Sequence, residues 1–136
     1  MSAQASAYPA PDDGALWRPF WAATADGKLV FMRCSHCRNA FLPARFECPA
    51  CLLPDPKWEE ASGKARLVSW VVYHKPPDPA FDTRVPYTVA VVELDEGPRM
   101  ITNIIIDDPE SLRIEQQLVL CIQQEAGVAV PRFVPV

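Results

Sequence analysis

The sequence predicts a mostly β protein that consists of an N-terminal helix, a four-cysteine zinc ribbon and a five-stranded OB-fold barrel, in that order. Two observations lead to this fold class. Four of the five cysteines form two Cys-x-x-Cys pairs separated by ten residues, and after residue 57 the chain changes to β-branched, apolar segments divided by turns. The predicted units are therefore 1–27 for the tail and helix, 28–57 for the ribbon and 58–136 for the barrel.

Length and composition set the limits for these predictions. The chain has 136 residues, of which 49% are hydrophobic, and a formal net charge of −4, so one modest domain with a packed core is expected. Segment 1–11 lacks the basic start and apolar stretch of a signal peptide. No apolar run approaches the roughly 20 residues that span a membrane. We therefore predict a soluble, cytoplasmic protein with no membrane partner.

Aromatic residues mark the predicted N-terminal helix. Two apolar pairs lie four residues apart, as on one helix face: Leu16 with Phe20, and Trp17 with Trp21. Pro19 disfavours helix at the residue before it, which predicts either a helix that starts near Pro19 or a kinked pair of short helices, and Gly27 ends it. The aromatic side chains need a cover. It is either the chain's own ribbon and barrel, or a partner or flat ligand.

The two cysteine pairs are predicted to bind one metal ion. They are Cys34 with Cys37 and Cys48 with Cys51. Each pair can place two thiolates on one tight turn, and two facing turns give the tetrahedral four-sulfur coordination that suits Zn²⁺. The odd total of five cysteines fits poorly with a disulfide framework. Because four cysteine ligands leave no open position for water or substrate, the predicted role is structural.

The same four ligands also suit a rubredoxin-type iron centre, and their spacing does not choose between zinc and iron. His36 lies between the first two ligands and is predicted to face solvent instead of binding the metal. Ribbon strands are predicted over 29–33 and 40–44, and 52–57 is a proline-marked linker.

Basic residues surround the ribbon, with no acid between Asp26 and Glu47: Lys28, Arg33, Arg38 and Arg45. They can form an anion-binding face for phosphate groups. They can equally offset the net charge of about −2 that a zinc tetrathiolate carries. The residues alone leave both interpretations open.

Five apolar, β-branched segments predict the strands of the barrel: 66–75, 87–94, 100–106, 118–123 and 132–136. Such apolar strands need protection for their edges, which a closed barrel provides. The OB-fold is the commonest barrel of this size, although a small β-sandwich fits the pattern almost as well.

No independent active site is predicted, so the chain is not expected to catalyse a reaction alone. It has two histidines, one in the ribbon and His74 at a strand end, which leaves a Ser-His-Asp or Cys-His arrangement little to draw on. Cys121 lies in an apolar strand without a basic neighbour and is predicted to be an inert core residue. Neither a P-loop nor a dinucleotide-binding glycine motif occurs.

Several short motifs occur in a fixed order along residues 17–135: Pro19-Phe20-Trp21, Gly27-Lys28-Leu29-Val30, Pro43-Ala44-Arg45, Gly63, Pro86-Tyr87-Thr88-Val89-Ala90, Val92-Glu93-Leu94 with Gly97, and Pro131-Arg132-Phe133. In this order, and with the ribbon, they resemble the domain of unknown function 35 family, a rubredoxin-like zinc ribbon fused to an acyl-CoA-associated OB-fold. Two positions depart from the family pattern. Arg38 stands where the family usually has glycine after the first cysteine pair, and Glu115 stands where it tends to have the glycine of Arg-Ile-Gly.

The resemblance implies a non-catalytic accessory subunit. Members commonly occur beside thiolase-superfamily proteins, and some are required subunits of thiolase, aldolase or acyltransferase complexes. It therefore implies structural Zn²⁺, a thiolase-like partner in a hetero-oligomer, and CoA or acyl-CoA as a possible ligand. Aromatic residues can stack on an adenine and cations can neutralise phosphates; the candidates for CoA binding are Trp17, Phe20, Trp21, Lys28, Arg33 and Arg45.

Two other functions stay open. One is a single-stranded nucleic-acid-binding module, because zinc ribbons and OB-folds bind nucleic acid elsewhere. However, residues 58–136 hold seven Lys and Arg against twelve Asp and Glu, whereas a single-strand groove is normally basic, so a nucleic-acid partner is not expected. The other is a structural scaffold that binds a partner but no CoA.

Overall fold

A computed structural model describes residues 10–136. Its main elements are helix α1 (Arg18–Ala25) and strands β1 (Val30–Arg33), β2 (Ala40–Phe41), β3 (Lys57–Glu60), β4 (Lys64–Tyr73), β5 (Tyr87–Leu94), β6 (Arg99–Ile104), β7 (Gln117–Glu125) and β8 (Val128–Pro135). The predicted polar tail at 1–11 lies mostly outside the described residues. Within residues 10–136, no helix is long and apolar enough to cross a membrane.

Helix α1 is the single helix near Pro19, not the kinked pair. Pro19 lies in its first turn, where the missing N–H has no helical acceptor to lose. At the other end the N–H of Gly27 donates to the carbonyl of Thr24 at 2.9 Å, with Gly27 at a φ of +80°, a left-handed conformation that favours glycine. The helix buries Phe20 and Thr24.

The ribbon is a three-stranded antiparallel sheet in the order β2-β1-β3. Met32 in the central strand lies opposite both Phe41 and Trp58. Strand β3 was not predicted, because Lys57-Trp58-Glu59-Glu60 shows no period-2 alternation. It spans the predicted division at 57/58 and is hydrogen-bonded to the ribbon strand β1.

The five remaining strands close into a barrel in the order β4-β5-β6-β8-β7, with β7 paired back to β4. The predicted five-stranded OB-fold is confirmed. Strand β5 shows the expected alternation, with Thr88, Ala90, Val92 and Leu94 buried and the residues between them half-buried. Strand β8 begins four residues earlier than predicted and contains Pro131. Proline has no backbone N–H to donate, and it is tolerated there because β8 pairs with β6 at a single register pair, Ile104 with Phe133.

The ribbon and the barrel share one apolar core. Phe31 of the ribbon is fully buried in the same cluster as Leu67, Val92 and Phe133 of the barrel. A second cluster surrounds the cysteines and includes Met32 and Phe41. Trp17 and Trp58 pack against both clusters. The chain's own ribbon and barrel therefore cover Phe20 fully, whereas Trp17 and Trp21 are only half-buried.

Candidate metal centre and an apolar cavity

The two cysteine pairs lie in two separate backbone turns that have the same hydrogen-bond pattern. In the first, the N–H of Cys34 donates to the carbonyl of Asn39 and the N–H of Arg38 donates back to the carbonyl of Cys34, at 2.8 and 3.2 Å. In the second, the equivalent bonds join Cys48 with Leu53 and Leu52 with Cys48, at 3.0 and 2.8 Å. Arg38 and Leu52 occupy the same place in the two turns, with φ values of +68° and +66°.

These turns bring all four cysteine sulfurs together. The ligand atoms of Cys34, Cys37, Cys48 and Cys51 lie within 4.8 Å of one another. Cys34 Sγ is 3.5 Å from Cys51 Sγ, and Cys37 Sγ is 3.6 Å from Cys48 Sγ. Tetrahedral zinc with Zn–S bonds of about 2.3 Å requires sulfurs about 3.8 Å apart. The geometry therefore fits a four-sulfur metal ion, which would cross-link the two turns without offering a position for substrate.

Backbone N–H groups prepare the first sulfur of each pair for the thiolate form. The N–H groups of Cys37 and His36 donate to Cys34 Sγ at 3.4 and 3.3 Å, and they lower the pKa of Cys34 against the opposing effect of burial. Burial also acts to raise the pKa of Cys48, but the N–H groups of Cys51 and Ala50 outweigh it and lower the pKa to about 6.

The pKa of Cys37 moves the other way. The N–H of Asn39 acts to lower it, but burial and the neighbouring sulfurs of Cys48 and Cys51 raise it to about 11. Four thiolates at these distances repel one another, and a divalent cation among them would relieve that repulsion. The donor set thus fits a metal ion better than it fits free thiols.

The other thiol and the ribbon histidine lie apart from these ligands. His36 is exposed, as predicted. Cys121 was predicted to be a core residue but is only half-buried in β7, where its sulfur accepts a hydrogen bond from Gln123 Nε2 at 3.2 Å. Among the described residues, the four ribbon cysteines are the group of His, Cys, Asp and Glu side chains placed to hold a metal ion.

Both departures from the family pattern fall where the backbone favours glycine. Arg38 has a φ of +68° and Glu115 has a φ of +68°. The turns are therefore kept, and non-glycine residues adopt the left-handed conformation. Such a conformation costs about 1–2 kcal/mol for an L-residue.

Replacing Arg38 with glycine is expected to raise the free energy of unfolding of the metal-loaded protein by about 0.5–1 kcal/mol, because relief of the left-handed backbone exceeds the entropy that glycine adds to the unfolded chain. The hydrogen bond from Arg33 Nη1 to the carbonyl of Arg38, at 3.1 Å, is kept in this variant. Urea unfolding measures the change. Arg45→Gly is the matched control, since Arg45 is an exposed ribbon cation without a positive φ, and it should lose stability. A loss of the same size in Arg38→Gly would contradict the prediction.

The ribbon cations have different environments. Arg33 is held by strand β3: its Nε and Nη2 donate to the two carboxylate oxygens of Glu59, each at 3.1 Å. The hydrogen bond from Arg33 lowers the pKa of Glu59. Lys28, Arg38 and Arg45 are exposed. Arg33 is therefore committed to an ion pair inside the ribbon sheet, whereas the other three can meet an anion.

A cavity of about 530 Å³ lies between helix α1, the chain after β2, and the barrel. The lining includes Trp21 of helix α1 and Trp17 immediately before it. The ribbon contributes Leu42 and Pro43, and the barrel contributes residues such as Met100 and Ile101. Three of the predicted CoA-binding residues, Trp17, Phe20 and Trp21, thus line one cavity. Lys28, Arg33 and Arg45 are not among its lining residues.

Two arginines that were not predicted as site residues, Arg99 and Arg132, line this cavity. Arg132 is half-buried, and its Nε and Nη2 donate to the carboxylate of Glu125 at 3.0 and 2.9 Å. Arg99 donates through Nε to Glu93 at 2.9 Å, and its side chain is 58% exposed. For Arg99, which lies one residue before the predicted strand 100–106, the available signal was the hairpin that places it opposite Glu93.

Two family models match the chain. Residues 21–54 match the rubredoxin-like zinc ribbon domain of ChsH2, and residues 58–123 match the C-terminal OB-fold domain of ChsH2. Together they cover the cysteine cluster and most of the barrel.

Curated relatives carry similar sequences. A DUF35 domain-containing scaffold protein from Methanothermobacter thermautotrophicus is 40% identical over 92 residues, which are 66% of this chain and 68% of that protein. A probable enoyl-CoA hydratase alpha subunit from Thermomonospora curvata is 36% identical over 124 residues, 90% of this chain. The match covers only 37% of that longer relative.

Solved structures show the same architecture. A chain of the "Ltp2-ChsH2(DUF35) aldolase" superposes with a TM-score of 0.80 at 33% identity, covering 94% of this chain and 98% of that one. A DUF35 protein of unknown function from Sulfolobus solfataricus superposes with a TM-score of 0.67 over 100% of this chain and 93% of that one. Its 16% identity supports the shared fold alone.

Proposed function

This chain belongs to the DUF35 family, and from that membership we propose that it is a non-catalytic accessory subunit that binds acyl-CoA or CoA and supports a thiolase-superfamily partner. The observation that carries the proposal is its likeness, along nearly the whole of both chains, to a chain of the Ltp2-ChsH2(DUF35) aldolase. By its name, that complex combines a DUF35 chain with an aldolase. The thiolase-like character of the partner is what the family resemblance implies.

The proposed division of work follows from the residues present. The ribbon would act as a cross-linked support, and the partner would supply the nucleophile and the base. Trp17 and Trp21 are half-buried and can contact a ligand, and Lys28 and Arg45 are exposed and can meet phosphates. Among the CoA candidates, Phe20 is only 4% exposed and Arg33 is paired with Glu59, so these two would position the site without contacting the ligand.

The experiment that tests the accessory role is affinity purification from the native source. The chain is tagged at its own locus and purified gently, and an unrelated protein with the same tag serves as the control. Mass spectrometry is expected to find a thiolase-like protein in stoichiometric amount that is absent from the control. Recovery of the chain alone, or with ribosomal material or nucleic acid, would contradict the proposal.

A second candidate function is a scaffold that binds its partner but no CoA. It is favoured by the name "DUF35 domain-containing scaffold protein" that the archaeal relatives carry. Titration of CoA and a short acyl-CoA, with the partner alone and with the complex, separates the two functions. A gain in affinity from adding this chain supports acyl-CoA binding, and equal affinity with and without it supports the scaffold.

We expect weak or undetectable binding of single-stranded DNA at physiological salt, because four of the seven cationic residues in 58–136 form ion pairs with acids of the barrel. Arg66 and Arg99 pair with Glu93, and Arg84 and Arg132 pair with Glu125. A nucleic-acid groove needs free cations along the phosphate path. Fluorescence anisotropy with a labelled oligonucleotide measures this, with a known single-strand-binding protein as positive control. Tight binding that weakens steeply with salt would rank the nucleic-acid function first.

A further inference from the structure

We propose that the cavity between helix α1 and the barrel binds the apolar part of a medium-chain acyl group, about ten carbons long, with the carbonyl end of that group at Arg99. This inference rests on the proposed function, because it names the class of acyl-CoA that the accessory subunit would serve. Three features of the cavity support it: the lining, the volume and the charge at the edge.

The lining is that of a small-molecule site. Ten of the twelve residues around the cavity are apolar, and the two others are Arg99 and Arg132. The one polar group of the Trp21 ring is engaged, since Trp21 Nε1 donates to the carbonyl of Asp12 at 3.1 Å. Ligand sites in proteins typically combine apolar and aromatic walls with a few polar groups that fix orientation. The cavity therefore selects an apolar ligand body.

The volume sets the length of the ligand. At the roughly 30 Å³ that a water-sized group occupies in a liquid, the 530 Å³ cavity has room for on the order of 15 heavy atoms. Ten acyl carbons, the carbonyl oxygen, the thioester sulfur and the first carbons of the CoA arm would together fill that space. An acetyl group has far fewer, and it would leave most of the aromatic wall in contact with water. An acyl chain of about ten carbons would cover that wall and gain the free energy of its own burial.

The two arginines differ in what they can offer a ligand. Arg132 is tied to Glu125 through Nε and Nη2 and is 19% exposed. Arg99 is tied to Glu93 through Nε alone, and within residues 10–136 its terminal nitrogens donate no hydrogen bond. These nitrogens can donate to a carbonyl oxygen, and more strongly to a carboxylate. Arg99 is thus the polar group that would orient the acyl end.

The test is calorimetric titration of the isolated chain with acyl-CoAs of two to fourteen carbons, with decanoate and decanol as probes that lack CoA. Affinity is expected to rise about fourfold per methylene and to level off near ten carbons, where the cavity is full. Equal affinity for acetyl-CoA and decanoyl-CoA, or failure of decanol to bind, would overturn the proposal.

Variants locate the binding. Val130→Phe fills the cavity and is expected to weaken decanol and decanoyl-CoA at least tenfold. Because Val130 is half-buried and its variant can fail to fold, Ile101→Trp is the second blocking variant, at a cavity residue that is 73% exposed. Val71→Trp is the matched control, on the same barrel but outside the cavity lining, and it should leave affinity unchanged. Loss of binding in Val71→Trp, or none in folded Ile101→Trp, would overturn the assignment.

Arg99→Gln separates the orienting group from the apolar body. It is expected to weaken decanoate about tenfold and to leave decanol unchanged, because only the carboxylate gains from the guanidinium. An equal loss for both probes would overturn the role of Arg99. Recovery of a thiolase-like partner without any dependence on chain length would leave the accessory function and remove this inference. Length-dependent binding without such a partner would keep the acyl-binding cavity and contradict the accessory function.

Discussion

Replacing Cys48 with serine is expected to reduce bound metal from about one ion per chain to nearly none and to unfold the ribbon. The sulfur of Cys48 is fully buried and accepts the N–H of Ala50 at 3.3 Å. A serine hydroxyl in its place is a poor ligand for zinc and cannot reach a thiolate's charge near neutral pH. The folding free energy of small zinc domains is largely metal-binding free energy, so loss of one ligand removes both.

The measurement is elemental analysis of the purified protein together with thermal unfolding. Cys121→Ser is the matched control, because Cys121 is the one cysteine outside the cluster. It should keep the full metal content and nearly the native melting temperature. Elemental analysis of the wild-type protein also chooses between zinc and iron, and a rubredoxin-type iron centre would be coloured. Full metal content in Cys48→Ser would contradict the four-cysteine site.

Metal removal is also expected to affect the barrel, because the two modules share their core. Leu29 and Phe31 lie in the ribbon region yet are buried among barrel residues. If the ribbon unfolds, these side chains leave that core and expose the barrel residues that they cover. A chelator should therefore lower the melting temperature of the whole chain and not only melt the ribbon.

The predictable parts of this fold are those with a strong local signal. The cysteine spacing predicted two facing turns, and the structure has them. The alternation in Tyr87–Leu94 predicted β5 with both of its ends, because every second residue enters the barrel core. Helix α1 followed from Pro19 and Gly27, which mark its start and its end.

The parts that were missed depend on contacts distant in sequence. Strand β3 contains one apolar residue, Trp58, and becomes a strand because its backbone pairs with β1 across more than twenty residues. Pro131 reads as a loop residue but lies inside β8, opposite Ile122. Its tolerance depends on the few bonds between β8 and β6, which only the closed barrel reveals.

The candidate site divides in the same way. The four cysteines were recognisable from their spacing alone. The ion pair of Arg33 could not be predicted, because its partner Glu59 lies on the unpredicted strand β3. Arg99 and Arg132 were missed because their place at the cavity depends on how α1 packs against β8. The periodicity of the sequence does not predict such a tertiary contact.

Replacing Phe31 with alanine is expected to lower the free energy of unfolding of the whole chain by about 3–5 kcal/mol, and the melting temperature by about 10 °C or more. Phe31 has 0% exposure, so its removal leaves a cavity in the core that the ribbon and the barrel share. The ring lies in the same cluster as Leu67, Val92 and Phe133. The loss should therefore appear in the barrel as well as in the ribbon that carries the residue.

Two probes of unfolding distinguish a shared core from two independent modules. Release of metal to a coloured chelator reports the ribbon, and far-ultraviolet circular dichroism reports mainly the barrel strands. In Phe31→Ala both transitions should move together to lower urea concentration. Phe46→Ala is the matched control, because Phe46 is also a ribbon residue but is 63% exposed; its effect should stay within about 0.5 kcal/mol. If metal release moved alone while the barrel transition stayed in place, the ribbon would be an appended module. Loss of metal would then leave the barrel folded, and the expected effect of Cys48→Ser would be confined to residues 28–57.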